Sequence, residues 1–198
     1  MTQKAEQIFV NKVKYMEVFA KGSETEIIKS EIAKQIYEVS HLVGSFQLRS
    51  GRISSEYFDK YQFEANPSLL DAVVKQMVNL IPSDTEVLAG LELGAISIVT
   101  LLSHYSGLPT VFVRKEAKKY GTSRLAEGAE INNRKVLIVE DVVTSGGQIV
   151  ISAHQLRKLG AEIDYALCVI EREEGAIDRL FAEGIALLSL LKRRDLPT

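Results

Sequence analysis

The run Val136-Leu137-Ile138-Val139-Glu140-Asp141-Val142-Val143-Thr144-Ser145-Gly146-Gly147 constrains this chain more than any other segment, because it joins apolar β-formers to two adjacent acids and a small-residue turn. Four such residues in succession suit a strand buried on both faces, and the polar and glycine residues behind them suit the loop at its carboxyl end. From Gln148 to Leu159 apolar residues recur at helical spacing and stop at Gly160, which predicts a helix whose N-terminus faces that loop. Small residues there let backbone N–H groups close around an anion, and the helix dipole favours one. Asp164 to Ile170 reads as the next parallel strand. Strand, turn and helix also follow one another in α/β domains that bind nothing at this point. Adjacent carboxylates, however, repel each other and need hydroxyls, a cation or a metal as partners. The run lacks the Gly-Lys-Ser/Thr of a Walker A loop and the G-x-G-x-x-G spacing of a dinucleotide site.

The chain has 198 residues, enough for one α/β domain with a small appendage, and 46% hydrophobic content is ample for a single core. A net charge of -2 and a pI near 6.0 give no global attraction to nucleic acid or an anionic membrane. The one cysteine, Cys168, falls in a predicted buried strand and reads as a small hydrophobe, so no disulfide framework is implied and a reducing cytoplasm suits it. No 18-residue apolar span occurs, and the N-terminus is amphipathic and charged, so a soluble, cytoplasmic protein is expected.

Apolar residues among charges from Thr2 to Lys21 predict a helix with a sticky face, and Gly22 to Glu26 interrupt it. Ser23 or Thr25 then caps a helix over Ile27 to Val39. A hairpin is expected from Ser45 to Tyr61 with its turn at Ser50-Gly51, followed by a helix from Pro67 to about Leu80. A strand over Glu86 to Gly90, a helix over Ala95 to Ser106 and a strand over Thr110 to Arg114 come next. Lys115 to Arg134 is charged and glycine-containing without periodicity, which predicts a mobile lid outside the core. This order gives a doubly wound sheet with sites at the strand carboxyl ends. His154, His104 and His41 read as helical, structural residues rather than metal ligands or general bases.

Four segments in this order resemble the type I phosphoribosyltransferases, and within them the orotate phosphoribosyltransferases. The acid-glycine run is similar to the family's phosphoribosyl pyrophosphate (PRPP) motif, which implies that Glu140 and Asp141 hold the ribose hydroxyls. Thr144, Ser145, Gly146 and Gly147 would then anchor the 5'-phosphate, with Val142, Val143 and Gln148 also against PRPP. Arg114 to Arg124 places five cations in eleven residues. Alone, that run fits a solvated surface, but it looks like the family's mobile catalytic loop, Arg-Lys-x-x-Lys-x-His/Tyr-Gly, and so implies that Arg114, Lys115, Lys118 and Tyr120 close on the pyrophosphate. With tyrosine at 120, no histidine proton transfer can be assigned there.

Phe46 to Asp59 would alone be an ordinary hairpin; it resembles the family's base-binding segment, Phe-x-Leu-x-Ser-Gly-x-x-Ser, and implies that Arg49, Tyr57 and Phe58 lie near orotate, with core packing the alternative for one aromatic. Gly90 to Ile96 is similar to the pyrophosphate loop, placing Glu92 and Leu93 on PRPP with a cis peptide between them; Ser97 stands where the family commonly has proline. Arg172 could pair with its acidic neighbours, but the family's arginine here holds the orotate carboxylate, with Thr144 also at the base.

The resemblance implies an α/β, doubly wound, mainly parallel sheet with a small N-terminal hood and a lid hairpin. Residues 23–198 would form the domain, with the hood from about 23–65 plus C-terminal elements, and residues 1–22 a helical extension. It implies that orotate and PRPP give orotidine 5'-monophosphate and pyrophosphate in pyrimidine synthesis, with Asp141, Glu140, Lys118 and Arg114 catalytic. Mg²⁺ is the implied cofactor, held mainly by PRPP and water, with Asp141 as the protein group offered to it. The implied assembly is a homodimer whose basic loop reaches the neighbouring site, without nucleic-acid or membrane partners. Two rivals stand beside this reading: a phosphoribosyltransferase for another base, and a non-catalytic PRPP-sensing regulator that binds nucleic acid.

Overall fold

The computed structural model describes residues 23–47, 51–115, 125–173 and 175–197. The predicted helix over Thr2 to Lys21, Arg49, Lys118 and Tyr120 lie outside the described residues.

A helix, α1 (Ser23–Ser40), leads into β1 (His41–Gln47) and β2 (Ile53–Phe58), which among the described residues pair only with each other, antiparallel. A short helix, α2 (Lys60–Glu64), follows; the Asp59 carboxylate caps it by accepting from the Tyr61 N–H at 3.1 Å. Asn66 caps α3 (Pro67–Val78) in the same way, with Pro67 in the first turn, where a missing N–H costs nothing.

The remaining chain alternates strand and helix: β3 (Val87–Leu91), α4 (Glu92–Ser106), β4 (Thr110–Val113), β5 (Ala126–Gly128), β6 (Lys135–Val143), α5 (Gly147–Lys158), β7 (Glu162–Glu171), α6 (Gly175–Ala182) and β8 (Ala186–Lys192). Six of these strands form one sheet in the order β5-β4-β3-β6-β7-β8, parallel throughout except for the edge strand β5. Alternation along β6 shows why its sequence is apolar without a break. Leu137 and Val139 enter a core with Ile98 and Leu102 of α4 and the buried faces of α1 and α3, while Val136 and Ile138 enter a second core with Ile149, Leu156 and Leu180 beneath α5 and α6. The doubly wound, mainly parallel sheet expected from the sequence is the one observed.

Two expectations are corrected. The segment from Lys115 to Arg134 is not all lid: Ala126–Gly128 pairs with β4, and Ile131 is 5% exposed within a core. A three-residue strand is too short to display a period. The sheet also extends past the strand at Ile170 to β8, whose leucine-rich run carries no β-branched residue and reads equally as helix.

β3 lies between β4 and β6, and the chain winds outward from it in both directions. Among the described residues no crossover covers the carboxyl ends of β3 and β6, the place where a sheet of this winding opens a crevice.

Candidate active site

At the end of β6, Thr144 and Ser145 are exposed, and Gly146 takes φ 73° as the N-cap of α5. A side chain at Gly146 would be strained by that φ and would also meet Leu180, whose Cγ lies 3.2 Å from an added Cβ. No side chain caps α5, so the N–H groups of its first turn face the crevice as anion donors.

β6 runs through Val143, which places the two acids in its last turns of pleat rather than in the loop. Asp141 shares a face with Leu137 and Val139 and is 0% exposed. Its Oδ1 accepts from the Val142 N–H, and its Oδ2 lies 2.5 Å from the Lys60 ammonium. Glu140 beside it has an Oε2 without a hydrogen-bond partner among the described residues. Glu64, one helical turn after Lys60, accepts from the Ser97 hydroxyl at 3.2 Å. Burial first, and the Asp141 charge second, push both Glu140 and Glu64 up to about 8. Burial acts to lower the Lys60 pKa, but the Asp141 hydrogen bond and charge outweigh it and hold it above the usual lysine value. Lys60 and Glu64 escaped the sequence reading, because no motif marks a five-residue helix.

All peptide bonds among the described residues are trans, so the cis bond expected between Glu92 and Leu93 is not there. Glu92 instead adopts φ 49° at the start of α4, a left-handed conformation that costs a non-glycine residue about 1–2 kcal/mol. Its carboxylate accepts from the Lys115 N–H at 2.5 Å, which ties this turn to the end of β4. Arg114 donates its backbone N–H to Leu125 O at 2.9 Å, and the Arg114, Lys115 and Leu93 side chains are exposed on the same rim.

A cavity of about 320 Å³ lies under the β1–β2 hairpin, lined by Tyr57, Phe58, Arg172, His41 and Arg193 among others. The Arg172 N–H donates to Val143 O at 2.8 Å, which pins that residue beside the phosphate loop, and its guanidinium stands 5.6 Å from the centre of the Phe58 ring. Phe58 is half-buried against the main core, while Tyr57 is 44% exposed and rests against Phe46. Phe58 therefore serves core and cavity together.

His41 departs from its reading as a helical residue: it opens β1, stacks on Tyr37 at 4.6 Å and faces Glu56. His154 pairs with Glu183, and His104 meets the edge of Tyr105. Arg193 was missed because the short 3-10 turn that carries it, Arg193–Asp195, shows no pattern in sequence.

A family model, the phosphoribosyl transferase domain, matches residues 60–182. The orotate phosphoribosyltransferase of Nocardioides sp. is 43% identical over 169 residues, covering 85% of this chain and 94% of that protein. This chain belongs to the orotate phosphoribosyltransferase family. The family member from Methanocella arvoryzae is 42% identical across 87% of this chain and 97% of its own. A Mycobacterium tuberculosis orotate phosphoribosyltransferase, solved in complex with PRPP, superposes with a TM-score of 0.72 at 29% identity, covering 85% of this chain and 98% of that one. The matched family domain begins at Lys60, so the helix that carries the cation against Asp141 lies within it. Among the described residues no helix is long and apolar enough to cross a membrane.

Proposed function

We infer that this protein transfers the phosphoribosyl group of PRPP to orotate, forming orotidine 5'-monophosphate and pyrophosphate in pyrimidine synthesis. The observation that carries the reading is the convergence of an acid pair whose Asp141 is fully buried, an open helix N-terminus and a cavity in which Arg172 stands over Phe58.

The reaction is a displacement at the anomeric carbon. Positive charge grows on the ribose and negative charge on the departing pyrophosphate, and deprotonated orotate brings its own nucleophilic nitrogen, so positioning and electrostatics are what the protein must supply. Glu140 and Asp141 orient the ribose hydroxyls and favour the developing cation. The first turn of α5 and the residues from Thr144 to Gly147 hold the 5'-phosphate. Arg172 meets the orotate carboxylate as a planar fork, with Phe58 and Tyr57 against the ring and Thr144 and Arg49 at its edge. Glu92 and Leu93 front the pyrophosphate. Arg114, Lys115, Lys118 and Tyr120 close over it and exclude water that would hydrolyse PRPP.

The Asp141 carboxylate, an oxygen donor, suits Mg²⁺. That donor fits an ion that arrives on PRPP with its water; when bound, it neutralises charge on the departing pyrophosphate. The residues from about 23 to 65 act as a hood on the domain that runs to residue 198, and residues 1–22 as an extension. A cytoplasmic homodimer sharing its basic loops completes the reading.

Loss of orotate ultraviolet absorbance on adding PRPP and Mg²⁺ tests it. Loss that requires both is expected. No loss from folded protein overturns the orotate assignment, and a panel of other bases with PRPP then identifies the acceptor.

PRPP binding should also release protons. In the free site Glu140 titrates at about 8, so at neutral pH it carries a proton that must leave before the carboxylate can accept ribose hydroxyls. Binding selects the ionised form, so PRPP affinity rises with pH up to about 8 and levels off above it. Calorimetry at pH 7 in two buffers of different ionisation enthalpy reads the proton directly; identical heats in both would remove the linkage.

A further inference from the structure

Lys60 occupies a position that local structure does not ask of a lysine. It is the first residue of α2, where the helix dipole disfavours a cation. Its backbone is fixed on both sides: the Asp59 N–H donates to Ser40 O at 2.8 Å, and the Asp59 carboxylate accepts from the Tyr61 N–H and, at 2.9 Å, from the Gln62 amide. From there the side chain reaches Asp141 Oδ2, yet 32% of it remains exposed.

The space it enters has been kept free by a second element. A Cβ built at Gly94, in the first turn of α4, would lie 1.7 Å from Asp141 Oδ2 and 2.9 Å from the Lys60 nitrogen. Any side chain at Gly94 would therefore displace the ion pair. The ammonium thus stands where the ribose acids meet the turn that fronts the pyrophosphate. Glu64, four residues on along the same helix face, and Glu140 surround it with carboxylates. An ammonium has three N–H donors, and its ion pair with Asp141 Oδ2 leaves donors to spare.

We propose that Lys60 is a further catalytic residue, a bridge that holds Asp141 with one N–H and gives its remaining donors to the pyrophosphate of PRPP. The proposal rests on the transfer reading above and extends it: one rigidly mounted cation links the group that orients the ribose to the group that leaves. Lys60 stands in place in the free protein.

Lys60→Met keeps length and removes charge and donors; Lys60→Arg keeps both. In the full-length enzyme, Lys60→Met should lower kcat ten- to hundredfold and weaken product inhibition by magnesium pyrophosphate about tenfold, the loss of roughly one charge-assisted contact. KM for orotate should stay within about twofold, and Lys60→Arg should recover most of the loss. A folded Lys60→Met enzyme with unchanged kcat and unchanged pyrophosphate inhibition overturns the proposal. If Lys60→Met does not fold, acetylation of Lys60 in the wild type, read by mass spectrometry with and without magnesium pyrophosphate, decides instead: protection is expected, and equal labelling overturns it. A wild type that does not convert orotate defeats the transfer reading, and the labelling result still judges Lys60 separately.

Discussion

Replacing Asp141 with asparagine should lower kcat/KM by about 10²–10⁴-fold while leaving the fold in place. The amide keeps the shape of the carboxylate, and its oxygen still accepts from the Val142 N–H, so the end of β6 is not disturbed. What disappears is the charge. Two ribose hydroxyls that donate to a carboxylate form charge-assisted bonds worth roughly 1.5–3 kcal/mol each, and together they set the size of the effect. The Lys60 ammonium loses its partner, but its side chain is 32% exposed and turns to water, which spares the protein the several kcal/mol of a sealed, unpaired charge. Glu140 responds as well: the Asp141 charge is the second cause, after burial, of its raised pKa, so in the variant Glu140 ionises at lower pH. The checks are a thermal melt for folding and turnover across pH. An asparagine variant with normal turnover would show that the ribose is held elsewhere.

The part of this architecture that short-range pattern controls was legible in the sequence. β6 announced itself because a strand buried on both faces must be apolar at every position, and the phosphate turn because only small residues let α5 present bare N–H groups. Asp141 could be singled out on the same grounds, as an acid at a strand end where burial demands a partner, whereas Arg172, which is exposed, stood out only through the family resemblance. Lys60 could not. It reaches Asp141 only because Asp59 pins the turn into α2 and Gly94 leaves room across the sheet, two facts that no window along the chain contains. β8 stayed hidden because leucines lack the branching that marks strands, and the left-handed φ of Glu92 because such a conformation at a non-glycine residue leaves no pattern in the sequence.

The second large effect is expected at the base. Arg172→Met should lower kcat/KM for orotate by about 10²–10³-fold through KM, and leave KM for PRPP within about twofold. The backbone of residue 172 is fixed by its bond to Val143 O, and a methionine there keeps apolar contact with Phe58, so the cavity wall survives while the fork is lost. Two parallel charge-assisted bonds to a carboxylate would give up to roughly 10⁴, but Arg172 is exposed and its pair with orotate is partly hydrated, which reduces the figure. Lysine at this position should recover little, because a point charge cannot reproduce the bidentate geometry. Uracil separates this from a general loss of packing: it has the ring without the carboxylate, so whatever slow reaction it supports should be indifferent to the substitution. Equal losses for orotate and uracil would move the carboxylate away from Arg172. Arg193, the other guanidinium on the wall of the same cavity, would then be the group to replace next.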